Sequence, residues 1–213
     1  MRTDQPGDRP VPRPSDQLPH RRTAIAGLIG AVASLATKAT AAPQEPAFPS
    51  FQSGQYQFTL LRPMRELPSI RLVRLDGKTT ELVSLRGKPI LLNFWATWCA
   101  ACRTELPILD RVYQDSRRAG LHVVAVSEDR GNREIVGRFL QTFEIRSLPI
   151  YWDPNGYVAF SDSENKRNAP FGLYGMPITY AIAASGRIAG YMPGAADWTS
   201  EAASRLIEYL RYS

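Results

Sequence analysis

The stretch that decides the fold is LLNFWATWCAACRTELP, residues 91–107. Together with Ile90, its first part forms an apolar run that is typical of a central strand covered on both faces. The residues after the second cysteine follow an amphipathic helical pattern, and Pro107 is expected to kink this helix because it removes a backbone donor. Cys99 and Cys102 are therefore predicted to lie where a buried strand gives way to a helix.

The segments on either side complete an α/β pattern. Upstream, residues 70–75 and 79–82 flank the turn pair Asp76-Gly77 and predict a β-hairpin. The predicted downstream elements are a strand at 121–127, a helix around 136–143, a strand at 150–152, a polar loop at 153–170, a hairpin of strands at 178–184 and 188–192, and a helix around 203–210 capped by Thr199 or Ser200. This order predicts a mixed central sheet flanked by helices, with the first hairpin as an N-terminal extension.

The first 42 residues are typical of an export signal. Arg21-Arg22 precede Thr23–Ala36, an apolar stretch of 14 residues, and Ala39-Thr40-Ala41 resembles a small-residue cleavage site. The apolar stretch is shorter than the roughly 20 residues that span a membrane, and the paired arginines suggest the twin-arginine route to the periplasm. The alternative is an uncleaved amphiphilic anchor. Residues 43–64 are predicted to be a Pro-rich spacer, within which Tyr56–Leu61 either forms a short strand or packs on the domain, and residues 65–213 are predicted to be the folded domain.

Composition argues against several classes of function. The net charge is +6, but residues 1–42 carry six of the basic residues against three acids, and the remainder shows no dense basic stripe of the kind that binds nucleic acid. The chain has two cysteines and two histidines, His20 in the leader and His122. A secreted disulfide scaffold normally has more cysteines, and a structural zinc site needs about four ligands. The remaining roles for the two cysteines are a redox pair or, less readily, an intermolecular metal site.

A cysteine pair at the start of a helix can perform thiol–disulfide exchange. The free backbone donors and the positive dipole end of the first turn stabilise a thiolate. Cys99 is predicted to be the exposed attacking sulfur, and Cys102, one turn further in, to be buried and to resolve the mixed disulfide. The pair itself is the redox group, so no separate cofactor and no metal are expected.

Three other positions are candidates for the site. Glu105 lies three residues after Cys102 on the same helix face, where it is either a solvated surface charge or an inward proton partner of the thiol. Asn93 can form hydrogen bonds but cannot titrate. Pro177, after Met176, either opens the following strand or is a cis proline beside the cysteine pair, with its preceding backbone free to pair with substrate.

These residues resemble the exported TlpA/ResA/CcmG branch of the thioredoxin superfamily. The similar stretches are residues 91–107, GMPITY at 175–180 and GAADW at 194–198, the last being similar to TlpA-type members. The resemblance covers roughly residues 65–213 and implies a thioredoxin fold. Ordinary thioredoxins carry a buried Asp at the position of Asn93 and Gly-Pro between the cysteines, where this chain has Ala100-Ala101. The redox potential is therefore left open.

The resemblance also implies roles for individual residues. Cys99 would be the nucleophile and Cys102 the resolving thiol, Glu105 the assisting acid, and Pro177 a cis proline. Trp98 and Met176 flank these groups and would contact the substrate.

The function that the resemblance implies is that of an exported protein-disulfide reductase. Members of this branch act on specific proteins during cytochrome c or cytochrome oxidase copper-site maturation, and a membrane thiol transporter supplies their electrons. Two alternatives stay open: a copper metallochaperone that uses the thiols as soft ligands, and a general disulfide oxidase. Copper carriers on this fold generally add a histidine, whereas His20 belongs to the leader and His122 lies on another strand. A thiol peroxidase is less favoured, because the second cysteine follows so closely in the helix.

Overall fold

The computed structural model describes residues 48–161, 165 and 167–213, without the side chains of residues 116–119. The predicted export signal lies outside these residues. The strands in the described part are β1 (Gln52–Ser53), β2 (Tyr56–Gln57), β3 (Thr59–Glu66), β4 (Arg71–Val73), β5 (Thr79–Glu81), β6 (Ile90–Trp95), β7 (His122–Ser127), β8 (Ile150–Trp152), β9 (Ala159–Phe160), β10 (Phe171–Gly172), β11 (Ile178–Ile182) and β12 (Arg187–Pro193). The α-helices are α1 (Ala100–Ala119), α2 (Arg133–Thr142) and α3 (Glu201–Arg211), and a short 3-10 helix spans Leu82–Leu85.

Six strands form a mixed central sheet in the order β3-β12-β11-β6-β7-β8. The pairs β6–β7 and β7–β8 are parallel, whereas β11 and β12 run antiparallel to their neighbours. Every residue of β6 is buried, as expected for a central strand. The predicted thioredoxin-type α/β architecture is confirmed.

The two faces of the sheet are covered differently. Alternate residues of β6 point to opposite faces, so that Leu91 and Trp95 join one core cluster while Ile90 and Phe94 join the other. The buried apolar residues of α1, α2 and α3 all belong to the first cluster. The second cluster is completed by residues of the β4–β5 hairpin and the 3-10 helix and by Val158, Ala159 and Phe171. The reason is topological, since right-handed crossovers from β6 to β7 and from β7 to β8 advance in one direction and keep α1 and α2 on the same face.

The folded unit begins earlier than the predicted boundary at residue 65. β3 pairs with β12 at the edge of the central sheet, and Phe51 and Phe58 are buried in the helix-side core. Residues 51–64 are therefore part of the domain, and the expectation of a spacer at 43–64 is wrong for them. Tyr56–Leu61, the stretch expected to form a short strand or to pack on the domain, contains β2 and the first residues of β3. The continuation of β3 to Glu66 was not expected, because Arg62 and Pro63 interrupt its apolar pattern. An edge strand tolerates this interruption because one side of its backbone is unpaired.

The other predicted elements are close to their expected positions. The first hairpin is present as β4 and β5, and the C-terminal hairpin as β11 and β12. α1 continues past Pro107 and ends before Gly120, which has a positive φ of 68° suited to a residue that terminates a helix. Of the two candidate caps for α3, Ser200 is the N-cap, and its hydroxyl accepts a hydrogen bond from the Ala203 N–H.

The sheet brings three chain segments to one edge. β6 and β7 are parallel and end together at Trp95 and Ser127, while β11 is antiparallel to β6 and begins with Ile178 opposite Phe94. The residues that follow β6, those that follow β7 and those that precede β11 therefore meet at the same edge. In the described part of the chain, no helix has both the length and the apolar character needed to cross a membrane.

Candidate active site

Cys99 and Cys102 form a disulfide at the start of α1. The backbone N–H of Cys102 donates a hydrogen bond to the Cys99 sulfur at 3.2 Å. Cys99 keeps 7% of its surface exposed, whereas Cys102 has none. Cys99 is the more accessible of the two cysteines, as predicted. In this disulfide form, however, Cys99 is buried and not exposed. Reduction would leave the Cys99 sulfur beside free helix donors, which stabilise a thiolate.

Asp129, which follows β7, holds the turn that carries the cysteines. Its carboxylate accepts hydrogen bonds from the Thr97 N–H at 2.9 Å, the Thr97 hydroxyl at 2.6 Å and the Ser127 hydroxyl at 2.8 Å. Its backbone carbonyl accepts one from the Trp152 indole at 2.7 Å. The sequence analysis missed this residue. The signal that could have identified it is its position directly after a parallel strand, at the edge where the cysteine turn also lies.

The rim of the site consists of Trp98 and the segment before β11. Trp98 is 66% exposed. Met176 is half-buried, packs against the core cluster that contains both cysteines, and forms a cis peptide bond with the buried Pro177. The cis bond is the one that the resemblance implied. Trp98 and Met176 line a common cleft, so the structure brings together the two residues expected to contact substrate.

Glu105 is buried, with 1% of its surface exposed, and three donors hold its carboxyl group. Asn93 on β6 donates to Oε2 at 2.9 Å, while the Ala196 N–H and the Trp198 indole donate to Oε1 at 3.0 and 2.9 Å. Of the two interpretations of Glu105, the surface charge is therefore excluded. The Asn93 amide also donates to the Thr179 hydroxyl at 2.9 Å, and its own Oδ1 is buried without a partner in the described structure.

Burial raises the pKa of Glu105 from 4.5 to about 7. The hydrogen bonds from Trp198, Ala196 and Asn93 favour the carboxylate and lower the pKa, but they do not offset the cost of removing the charge from water. Glu105 is thus an acid that can gain or lose a proton near neutral pH, one helical turn from Cys102.

The GAADW stretch at 194–198 holds the carboxyl group of Glu105 in this site. It leads into α3 and supplies two of the three donors to Glu105, one from the Ala196 backbone and one from the Trp198 side chain. The Trp198 ring is itself fixed by Phe51, at a centroid separation of 5.1 Å. Phe51, which was predicted to lie in a spacer, thus supports the Trp198 side chain that donates a hydrogen bond to Glu105.

A comparison with protein families gives a match to the AhpC/TSA family over residues 63–190, more than half of the chain. The chain belongs to the AhpC/TSA family. The matched region of this AhpC/TSA protein contains the cysteine turn, Glu105 and the cis proline, and it stops before the 194–198 stretch.

Individual relatives of this AhpC/TSA protein agree with its fold. It is 35% identical over 120 residues to the thiol-disulfide oxidoreductase ResA of Oceanobacillus iheyensis, a match that spans 56% of this chain and only 57% of the relative. It is 32% identical over 127 residues to the thioredoxin-like protein YneN of Bacillus subtilis, covering 58% of this chain and 67% of YneN. The crystal structure of a thioredoxin-family thiol:disulfide interchange protein from Chlorobium tepidum has a TM-score of 0.54 at 27% identity, covering 69% of this chain and 97% of the other. The resemblance to thioredoxin-family thiol-disulfide oxidoreductases is confirmed.

A second acid with a raised pKa, the half-buried Glu128, lies beside the cysteine turn of this AhpC/TSA protein. Partial burial and the carboxylates of Asp153 and Asp129 together raise the pKa of Glu128 to about 9, and Arg130 opposes them. Glu128 lines the cleft with Trp98 and Met176, and its Oε1 is inaccessible and has no hydrogen-bond partner within the described residues. Glu128 was not predicted as a site residue, because a polar residue after a strand carries no signal that it will line a cleft.

His122 lies far from the cysteine pair. It pairs with Ile90 at the first position of β6, whereas the cysteines follow the last residue, Trp95. Five residue-to-residue steps along the strand separate the two positions by about 16 Å. Across residues 48–161, 165 and 167–213 there is no group of three or more His, Cys, Asp or Glu side chains that could hold a metal ion.

Glu105 should make the stability of the disulfide form depend on pH in an unusual direction. Its pKa of about 7 in the folded protein exceeds 4.5, its ordinary value. Between these values the Glu105 carboxyl group binds more protons in the folded state than in the unfolded state, so its contribution to the free energy of unfolding falls as pH rises from 4.5 to 7 and is level above that. The expected loss is about 3 kcal/mol at most. Urea unfolding of the oxidised protein at several pH values measures it.

The matched variants are Glu105→Gln and Glu66→Gln. Glu105→Gln should abolish the pH-dependent contribution of Glu105 to the free energy of unfolding. The Asn93 amide can rotate to present its free Oδ1 to the amide of the new side chain. Glu66 is exposed on β3, so Glu66→Gln should keep the wild-type profile. Parallel stability curves for wild type and Glu105→Gln would show that Glu105 does not titrate in this range.

Proposed function

We propose that this protein is an exported protein-disulfide reductase that acts by dithiol exchange through Cys99 and Cys102. The observation that carries the proposal is the disulfide at the start of α1. Cys99 is the more accessible of its two sulfurs, and the buried acid Glu105 lies one helical turn beyond Cys102. Relatives named as thiol-disulfide oxidoreductases support the same chemistry.

In the proposed reaction, the Cys99 thiolate attacks one sulfur of a substrate disulfide. A bond forms between Cys99 and that sulfur, the substrate disulfide breaks, and the other substrate sulfur leaves as a thiolate. Cys102 then loses its proton and attacks the Cys99 sulfur, which re-forms the Cys99–Cys102 bond and releases the second substrate thiol. Two electrons pass to the substrate, and the protein ends in the disulfide form.

Glu105 is proposed to take up the proton that Cys102 releases. The acid lies on the same buried face of α1, three residues further along, and its pKa of about 7 suits proton exchange with a thiol near neutral pH. Asn93, Ala196 and Trp198 hold the carboxyl group in place, so they are positioning groups in this scheme.

The compartment and the partners follow from the leader and the resemblance. The export signal at 1–42 supports a periplasmic location, reached through the twin-arginine route, with either cleavage or retention as an anchor. The substrates would be specific proteins in cytochrome c or cytochrome oxidase copper-site maturation, and a membrane thiol transporter would reduce the pair again. A copper metallochaperone is less well supported, because His122 lies at the far end of β6 from the cysteines.

The reduction potential distinguishes the reductase from a general disulfide oxidase. A reductase should have a potential nearer to the roughly −270 mV of thioredoxin than to the roughly −120 mV of a strong oxidant. Equilibration of the purified protein with glutathione buffers measures the ratio of dithiol to disulfide. A value at the oxidant end of this range would reject the reductase and favour the oxidase.

The division of roles between the cysteines can be tested by trapping. Cys102→Ser should accumulate a mixed disulfide with the natural partner, because Cys99 can still attack but nothing resolves the intermediate. Cys99→Ser, the matched control, should trap little, because Cys102 has no exposed surface. Non-reducing electrophoresis of tagged variants isolated from the source cell reveals the adducts. Stronger trapping by Cys99→Ser would reverse the assignment.

The proton-transfer role of Glu105 predicts a kinetic effect. Glu105→Gln should slow the reduction of insulin by about 10²-fold and should remove an inflection near pH 7 from the rate profile, because the amide can neither take up nor release a proton. The measurement is the rate of insulin reduction by the dithiol form between pH 5 and 9. Glu66→Gln serves again as the surface control, and superimposable profiles for wild type and Glu105→Gln would remove the acid from the mechanism.

A further inference from the structure

A cleft of about 330 Å³ opens beside the redox pair. Its walls include Trp98, Glu128, Arg130, Leu173 and Met176. Trp98 directly precedes Cys99, and Met176 is joined by the cis bond to Pro177. A polypeptide that presents a disulfide to Cys99 therefore places a neighbouring side chain at this cleft.

Glu128 is the group in the cleft whose hydrogen bonding is incomplete. A buried polar atom normally has a hydrogen-bond partner, yet Oε1 of Glu128 has none within the described residues. The two acids nearby differ from it. The Asp129 carboxylate accepts hydrogen bonds from Thr97 and Ser127, and the Asp153 carboxylate accepts them from the backbone N–H groups of residues 157–159. A donor supplied from outside would complete the bonding of Glu128.

The charges around Glu128 favour a cationic donor. Asp129 and Asp153 both make the potential at its carboxyl group more negative. Arg130 is the opposing charge, and its side chain is exposed. A positive group that enters the cleft is attracted by the carboxylates of Asp129 and Asp153, stabilises the ionised form of Glu128, and is repelled by one arginine.

The remaining walls suit a long side chain with a charged end. Leu173 and Met176 provide an apolar surface for the methylene groups of such a side chain. Trp98, 66% exposed, offers an aromatic face on which a guanidinium or ammonium group can lie. Lysine and arginine combine a methylene stem with a cationic donor, whereas acidic and short polar side chains lack one or both.

We propose that this cleft binds a lysine or arginine side chain of the protein substrate, close to the substrate cysteine that reacts with Cys99, and that Glu128 selects it. This assignment rests on the proposed function, since it concerns the same substrates. Glu128 determines specificity and takes no part in the exchange of thiols. Arg130 competes with the substrate cation and limits the affinity.

Binding of cysteine-free peptides to the oxidised full-length protein tests the assignment without redox chemistry. The peptides carry serine in place of the reactive cysteine, and arginine, lysine, norleucine or glutamate in turn at the two positions on either side. The readout is the NMR shift of the Trp98 indole N–H, titrated for wild type, Glu128→Gln and Arg130→Gln. At one position or more, wild type should bind the arginine and lysine peptides about tenfold more tightly than the norleucine peptide, as for a charge-assisted contact. The glutamate peptide should bind most weakly.

The variants should change this preference in opposite directions. Glu128→Gln keeps the shape but cannot ionise when a cation binds, so the preference for basic peptides should fall to about twofold or less. Arg130→Gln removes the competing cation and should increase the preference. Equal affinities of wild type for arginine and norleucine peptides at every position would overturn the proposal, as would an undiminished preference in Glu128→Gln. If Glu128→Gln does not fold, a decrease in preference for Arg130→Gln would overturn it.

A parallel experiment separates this assignment from the proposed function. Disulfide-bonded versions of the same peptides are reduced by the dithiol form of wild type, and the ratio of rates for basic and norleucine peptides is recorded. Reduction of all peptides at one rate, without a binding preference, would reject the cleft assignment and leave the reductase standing. A binding preference for basic peptides without any reduction would reject the reductase and leave the cleft assignment standing.

Discussion

The carboxyl group of Glu105 is where three parts of the domain are joined. The acid belongs to α1, Asn93 belongs to the central strand β6, and Ala196 and Trp198 belong to the segment that leads into α3. The hydrogen bonds connect elements that are far apart in sequence, directly behind the disulfide. A carboxyl group buried to this extent is costly unless it is hydrogen-bonded, so the packing of the helix face depends on these three donors remaining in place.

The buried Glu105 and the half-buried Glu128 show how hydrogen bonding sets the behaviour of a carboxyl group near the cysteines. Burial raises the pKa of both, to about 7 for Glu105 and about 9 for Glu128. Three donors bring the pKa of Glu105 close to neutrality, whereas Glu128 has an oxygen without a partner and two acidic neighbours. The first arrangement suits proton exchange inside the protein. The second suits a site that a cation from outside completes.

Sequence patterns were sufficient for most of the elements around the cysteines. The apolar run of β6, the helix that follows it and the two hairpins were all predictable, because each has a local signal of periodicity or turn chemistry. β3 was predictable only in its first residues, because Arg62 and Pro63 break its alternation and only pairing with β12 extends the strand to Glu66. The same limit explains why Phe51, which supports Trp198, was assigned to a spacer.

The sequence by itself determined that this protein has a thioredoxin-type fold with a cysteine pair at the start of a helix, since both depend on residues adjacent in the chain. Which other groups surround the pair was decided by the tertiary structure. Asp129, Glu128 and Trp198 reach the site because parallel and antiparallel strands end at one edge of the sheet and because α3 packs on the same face as α1. Burial and hydrogen-bond partners depend on groups distant in sequence, and the pKa of Glu105 is therefore a property of the folded chain alone.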